Sequence, residues 1–256
     1  MHAELKIAFT QHRGLRGASQ QDALLVNACV FQSLDLPPSK HASALPAFFA
    51  VADGLAISPA AHLASRLVLA FLQRRFVALQ AESQGAVVDK LCARDVRQAQ
   101  HALAAKLGRG ATGGAACTVV SAVCQGERIR ILHVGDCRAY HRSAGGVVRQ
   151  LTRDHSVANA TDYGDFTGSA AGQGLMHYLS ADPLHDDFEV QMVECPFHAD
   201  DSLLLCSDGV HEPLAAQLNE LLVAELSPLQ RAEQLRSAVL AAGAPDNFSL
   251  IVIQRE

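Results

Sequence analysis

Four aspartates stand at the ends of apolar runs that have the length of β-strands. Three follow such a run and the fourth precedes one: Asp53, Asp136, Asp208 and Asp246. If the last strand runs antiparallel to its neighbours, all four carboxylates can meet at one sheet edge. Carboxylates at such short distances repel one another, and some would stay protonated unless a cation compensated their negative charge. The pattern therefore predicts a metal site. Its ligands would all be oxygen atoms, which suit Mg²⁺ or Mn²⁺ better than zinc.

The distribution of these aspartates favours one domain over residues 1–256. A chain of this length with 49% hydrophobic residues can bury a substantial core, as one large domain or two small ones. A boundary in the middle of the chain would separate Asp53 from Asp246 and so divide the proposed site.

Charge and hydropathy argue against nucleic-acid and membrane partners. The net charge is -5, and no dense run of Lys or Arg occurs. No apolar segment approaches the roughly 18 residues of a membrane span, and the N-terminal residues lack the form of a signal peptide. The seven cysteines form no CxxC pair and lie mostly in apolar stretches, which is typical of reduced, buried thiols. We therefore expect a cytoplasmic protein.

Hydrophobic periodicity predicts an α+β protein in which helices cover sheets. The expected strands are 4–10, 22–31, 47–52, 115–124, 127–135, 137–142, 146–151, 188–195, 202–207 and 247–254, with an antiparallel meander over 115–151. The expected helices are 59–81, 86–107, 213–223 and 228–241. Paired prolines exclude 36–46 from a central strand, so a loop is predicted there. Residues 155–185 are glycine-rich without a firm period, which indicates a mobile surface segment.

Five short blocks around the aspartates follow one another in a specific order. They are Val51–Gly54 with Ala64-Ser65, Gly135–Tyr140, Leu151–Ser156, Cys206–Gly209 and Asp246–Ser249. Each block alone is common, but together they resemble the metal-dependent protein serine/threonine phosphatases called PPM or type 2C, of bacterial type. The resemblance implies a four-layer α-β-β-α sandwich of two antiparallel sheets flanked by helices. Residues 155–185 would then be the flap that borders the active site.

The resemblance also implies how the aspartates would share their metal ions. Asp53 would bridge two ions, Mn²⁺ or Mg²⁺, and the carbonyl of Gly54 would bind the second, because glycine lets the backbone approach closely. Asp208 and Asp246 would hold the first ion. Asp136 matches the ligand of a weaker third ion, which it would share with Asp208.

Two further catalytic positions are implied near the start of the chain. Asp22 resembles the early acidic residue that orients metal-bound water. Family members also grip the substrate phosphate bidentately with an early arginine. Arg16 is our candidate, although it lies six residues before Asp22 where five is usual. Arg13 is a second candidate, and the third reading is that both are solvated loop arginines.

The implied activity is one-step hydrolysis of phosphoserine and phosphothreonine in the protein substrates of a serine/threonine kinase. Metal ions would activate the attacking water without a phosphoenzyme. Neither Cys92 nor Cys137, each of which is closely followed by arginines, begins a Cys-x5-Arg stretch, so these two residues give no support to the alternative of a cysteine nucleophile.

Some residues near the proposed metals depart from the family pattern. Ala56 and Ile57 replace two usual glycines, and Leu55 stands where many eukaryotic members carry a histidine that protonates the leaving group. His62 and His155 are alternative general acids, but we interpret them as a helix-surface residue and a hydrogen-bonding turn residue. Two other functions therefore stay open: a non-catalytic relative that binds phosphoproteins, and a phosphomonoesterase acting on a small metabolite.

Overall fold

Two antiparallel six-stranded β-sheets lie at the centre of the structure, a computed structural model that describes residues 4–82, 87–160 and 174–256. The strands are β1 (Glu4–His12), β2 (Ala23–Val26), β3 (Cys29–Phe31), β4 (Asp35–Ala44), β5 (Ala47–Ala52), β6 (Ala116–Cys117), β7 (Val119–Gln125), β8 (Arg128–Val134), β9 (Arg138–Arg142), β10 (Val148–Gln150), β11 (Leu179–Ser180), β12 (Gln191–Pro196), β13 (Ser202–Cys206) and β14 (Phe248–Arg255). The first sheet has the order β10-β9-β13-β14-β1-β4, and the second has the order β12-β8-β7-β5-β2-β3. Strands β6 and β11 form a separate pair.

The helices cover the outer faces of the two sheets. They are α1 (Ala61–Glu82), α2 (Ala93–Leu107), α3 (Asp208–His211), α4 (Leu218–Val223) and α5 (Pro228–Ala241). One apolar layer packs the first two helices on the second sheet, another fills the space between the sheets, and a third packs the last three helices on the first sheet. The prediction of a four-layer α-β-β-α sandwich is therefore confirmed.

Sequence signals account for how the first two helices form and meet. Buried residues recur along one face of α1: Ala64, Val68, Leu72, Phe76 and Leu79. At the start of α2, the Asp95 carboxylate accepts a 2.9 Å hydrogen bond from the Cys92 amide. The same carboxylate pairs with Arg75 Nε at 2.6 Å, which ties α1 to α2.

Residues 36–46 are mostly an edge strand, so the prediction of a loop was wrong. Strand β4 pairs with β1 on one side only. The pairing register shifts between Phe9 and Gln11, opposite Pro37 and Pro38, which marks a bulge. Because edge strands and bulges leave amides unpaired, the two prolines cost this strand little, and their exclusion from a central strand still holds.

The predicted meander over 115–151 is divided between the two sheets. Strands β7 and β8 pair in the second sheet, whereas β9 and β10 pair in the first. Between β8 and β9, Gly135 has a φ of 106°, a conformation that side chains rarely permit. Apolar patterning shows that strands follow one another but not which sheet each joins, so this part of the prediction was wrong. The crossover places Asp136 between the sheets.

Two predicted helices are shorter than expected. A 3₁₀ turn at Val87–Asp89 precedes α2, which begins at Ala93 rather than near residue 86. In the predicted helix 213–223, only α4 is helical. No helix in the described parts of the chain is both long and apolar enough to cross a membrane. Residues 161–173 of the predicted flap lie outside the described residues.

Candidate metal centre

A cleft of about 180 Å³ opens where strand ends of both sheets meet. Its lining consists of Gln21, Asp53, Gly54, Leu55, Ala56, Thr118, Asp136, Leu175, Asp208 and Asp246. All four aspartates singled out by the sequence pattern are therefore brought together, and Gly54 is with them.

The aspartates reach the cleft from two sheets, so the prediction of a single sheet edge was wrong. Asp53 follows β5 in the second sheet. Asp208 follows β13 and Asp246 precedes β14, which are antiparallel neighbours in the first sheet. Asp136 comes from the crossover between the sheets. Any cation held by this set would connect the two central layers of the fold.

Burial and mutual repulsion raise the pKa values of three of the cleft carboxylates, Asp53, Asp136 and Asp208. Burial and the negative charge of Asp208 raise the pKa of Asp53 well above its ordinary value. For Asp136, burial and then Asp208 likewise raise the pKa. A divalent cation would compensate the same charge.

The ligand atoms in the cleft are of the type that a hard cation prefers, but the side chains are not positioned around a common point. One carboxylate oxygen of Asp208 is buried without a hydrogen-bond partner, and the converging side chains are all oxygen donors. However, within the described residues no three His, Cys, Asp or Glu side chains stand together so that they could hold a metal ion. The aspartate side chains would have to turn from one another toward a common cation.

Asp22 lies behind the cleft rather than in its lining. It is fully buried, and its Oδ2 accepts a 2.9 Å hydrogen bond from the Ser207 hydroxyl. Burial raises the pKa of Asp22 to about 7, while hydrogen bonds from Ser249 and Ser207 act in the opposite direction. Asp53 is close enough to Asp22 to lower its pKa, although burial has the larger effect. This placement suits a group that supports Asp53, and its predicted role in orienting water stays a prediction.

Neither candidate arginine is part of the cleft lining. Both lie on the exposed loop between β1 and β2, where Arg13 Nη1 turns back to the Gly17 carbonyl at 3.3 Å. Asn247 holds this loop beside Asp246, because its side-chain amide donates to the carbonyls of Arg13 at 2.7 Å and Ser19 at 3.0 Å. The loop that carries Arg16 is thus held beside Asp246, and the role of Arg16 as the phosphate-binding residue stays a prediction.

Sequence reasoning missed the pairing of Arg138 with Asp154 and the contact of His211 with Asp136. The Arg138 guanidinium binds both carboxylate oxygens of Asp154, with Nε–Oδ1 at 2.9 Å and Nη2–Oδ2 at 2.6 Å. His211 Nε2 donates to the Asp136 carbonyl at 3.0 Å. His155 Nδ1 accepts a hydrogen bond from the Gly135 amide at 3.2 Å, in agreement with its interpretation as a hydrogen-bonding turn residue. Arg138 and Asp154 lie within quoted motif blocks, but spacing alone did not reveal that they pair.

Gln21 is a further cleft residue that was missed. Its amide donates to Asn247 Oδ1 at 2.6 Å, and its carbonyl accepts from the Ser65 hydroxyl at 2.5 Å. These contacts fix the backbone beside Gly54 and leave the Gln21 side chain at the cleft. The only sequence signal was its position next to Asp22.

The protein phosphatase 2C family model matches residues 12–242 of the chain. The serine/threonine phosphatase stp of Listeria innocua is 29% identical over 149 residues, which are 56% of this chain and 58% of that protein. The serine/threonine protein phosphatase PstP of Mycobacterium tuberculosis is 28% identical over 253 residues, which are 97% of this chain and 44% of that protein. The chain therefore spans about half the length of these curated relatives.

Solved structures resemble the fold over almost its whole length. The crystal structure of Mycobacterium tuberculosis PstP has a TM-score of 0.77 at 25% identity, with 98% of each chain covered. The catalytic domain of a PstP phosphatase in complex with two manganese ions has a TM-score of 0.74 at 26% identity, with 99% of each chain covered.

Proposed function

Because the chain belongs to the protein phosphatase 2C family, we propose that it hydrolyses phosphoserine and phosphothreonine in proteins, with Mn²⁺ or Mg²⁺ as cofactor. The observation that supports this most is the convergence of four aspartates on one cleft. The two manganese ions of the similar PstP catalytic domain support the choice of cation. The substrates would be those of a serine/threonine kinase, and residues 1–256 would act as one catalytic domain. The absence of disulfides among all seven cysteines supports a cytoplasmic location.

The cleft residues would hold the ions as the family resemblance implies. Asp53 would bridge two ions, Asp208 and Asp246 would hold the first, and Asp136 would share a third with Asp208. The Gly54 carbonyl would serve the second ion. A Cβ atom at Gly54 would lie 2.8 Å from backbone atoms of Ala61 and Gln21, so no side chain fits there. When bound, the ions would activate the attacking water and neutralise the phosphate charge.

The protein's own groups would orient the carboxylates and form the wall of the cleft. Asp22, held by the Ser207 hydroxyl at 2.9 Å, would support the Asp53 carboxylate from behind the cleft. Leu55, Ala56 and Leu175 give the cleft an apolar wall. No His, Cys, Lys or Tyr is among the described residues that line the cleft. The leaving-group proton would therefore come from solvent.

Phosphate release by the purified protein tests the proposal. With Mn²⁺ present, we expect turnover of p-nitrophenyl phosphate and of phosphothreonine peptides, and loss of both when EDTA is added. Absence of phosphate release from all of these substrates would refute it. A comparison of phosphopeptides with small phosphorylated metabolites separates a protein phosphatase from a metabolite phosphomonoesterase.

A non-catalytic phosphoprotein-binding relative is the second candidate. It is favoured by the absence of Arg13 and Arg16 from the cleft lining and by the replacement of two usual glycines with Ala56 and Ile57. Calorimetry with Mn²⁺ discriminates between the two functions. An active phosphatase should bind the ion below millimolar concentration, whereas this second candidate predicts no such binding.

A further inference from the structure

A short turn at the rim of the cleft carries an unusual apolar surface. Leu55 and Ala56 line the cleft, as does Leu175. The next residue, Ile57, is 97% exposed, more than any other large hydrophobic residue in the described part of the chain. Single exposed hydrophobic residues are ordinary on protein surfaces, but this one directly continues the apolar wall of the candidate active site.

Hydrogen bonds fix this turn so that Ile57 stays in solvent. The Ser58 amide and hydroxyl both donate to the Leu55 carbonyl at 2.8 Å. The Leu55 amide donates to the Ala116 carbonyl at 3.0 Å, and the Ala116 amide donates to the Ser58 hydroxyl at 3.1 Å. Because the turn is anchored to β6, Ile57 can contact a bound partner without a cost for ordering the loop.

We propose that Ile57, together with Leu55, contacts an apolar side chain next to the phosphorylated residue of a protein substrate. Consecutive Cα atoms of an extended peptide are about 3.8 Å apart, so residues one or two positions from the phosphate pass over the cleft rim. An apolar side chain there covers Ile57 and removes apolar surface from water. The substrate class is phosphoserine or phosphothreonine flanked by aliphatic residues. This inference rests on the proposed phosphatase function.

Two phosphothreonine peptides test the contact. They are identical except at the two positions on each side of phosphothreonine, which are leucine in one peptide and serine in the other. For the wild type we expect kcat/KM to be about tenfold higher for the leucine peptide. Ile57→Ser should reduce this ratio to below about twofold, and Ile57→Leu should retain it. Val77→Ser is the matched control, because Val77 is also branched and exposed but lies on α1; this variant should retain the tenfold ratio.

Two further readouts separate this inference from the proposed function. Turnover of p-nitrophenyl phosphate should be equal in all four proteins, because that substrate has no flanking residues. Binding of the same peptides with a hydrolysis-resistant phosphonate, measured by fluorescence anisotropy with Mn²⁺, should show the same dependence on Ile57. If nothing is hydrolysed, the phosphatase proposal fails and binding alone decides the inference. Equal binding of both peptides, or a leucine preference that persists in Ile57→Ser, would overturn it.

Discussion

Asp136 differs from the other cleft aspartates in how its backbone is held. It sits at the crossover between the sheets, where His211 binds its carbonyl and His155 binds the amide of Gly135. These contacts do not involve the Asp136 side chain, so its removal should leave the crossover in place. The position therefore allows the third-ion role to be tested by mutation without loss of the fold.

We predict that Asp136→Ala retains two tightly bound ions and slows turnover. Asp53, Asp208 and Asp246 would still hold the first two ions, whereas the third would lose a ligand not replaced by another described side chain of the cleft. Calorimetry with Mn²⁺ counts the ions, and phosphate release at limiting metal measures turnover. Unchanged turnover at limiting metal would argue against a catalytic third ion.

Asp22 should make the stability of the metal-free protein fall as pH rises. Burial raises its pKa from 3.8 to about 7, so the folded state holds a proton that the unfolded state has released. The resulting stabilisation is complete below about pH 4 and is lost as the pH rises through about 7. A shift of about three pH units corresponds to at most about 4 kcal/mol.

Urea unfolding in EDTA at pH 5 and pH 8 measures this dependence. The asparagine side chain of Asp22→Asn does not titrate, and it keeps an oxygen that can accept a hydrogen bond from Ser207. The difference in the free energy of unfolding between pH 5 and pH 8 should therefore shrink. Part of the difference should remain, because burial also raises the pKa of Asp53 and Asp136. Asp187→Asn, a substitution at an exposed position, is the control. If Asp22→Asn keeps the wild-type difference in unfolding free energy, Asp22 is not the titrating group.

At the scale of elements, Asp95 joins α1 to α2. Its buried carboxylate binds both Arg75 and the Cys92 amide, so Asp95→Ala leaves two donors without a partner. We expect a loss of about 2–3 kcal/mol in the free energy of unfolding, measured with urea. Asp89→Ala, which breaks the exposed pair with Arg128, should cost less than Asp95→Ala. Equal losses in the two variants would contradict this account.

Elements with local signals could be predicted, and elements defined by distant contacts could not. The helix α5 matches its predicted range because Ser227 caps it and Pro228 occupies its first turn. By contrast, the prolines of β4 are tolerated only because that strand lies at a sheet edge, which depends on its pairing with β1. In the candidate site, strand ends revealed the aspartates. Gln21 and Leu175 reach the cleft from loops, which carry no comparable pattern.

At the scale of the whole molecule, the candidate centre lies where the two sheets meet. In the first sheet, the turns that carry Asp208 and Asp246 are in close contact, since a Cβ atom at Gly209 would lie 1.9 Å from the Asn247 carbonyl oxygen. Asp53 approaches from the second sheet, where the negative charge of Asp208 contributes, after burial, to raising its pKa. A cation at this point would replace repulsion between the sheets with shared ligation, so metal binding and folding stability should be coupled.

Mn²⁺ should therefore raise the melting temperature of the protein. At a hundred times its Kd, a ligand that binds only the folded state stabilises it by about 2.7 kcal/mol, which for a chain of this size corresponds to roughly 5–10 °C. Asp208→Asn should lose most of this increase and on the order of 100-fold or more in phosphatase activity, because two proposed ions share this ligand. Asp89→Asn should keep both the increase in melting temperature with Mn²⁺ and the phosphatase activity. Differential scanning fluorimetry from EDTA to millimolar Mn²⁺ provides the measurement, and an equal increase in Asp208→Asn would place the stabilising ion elsewhere.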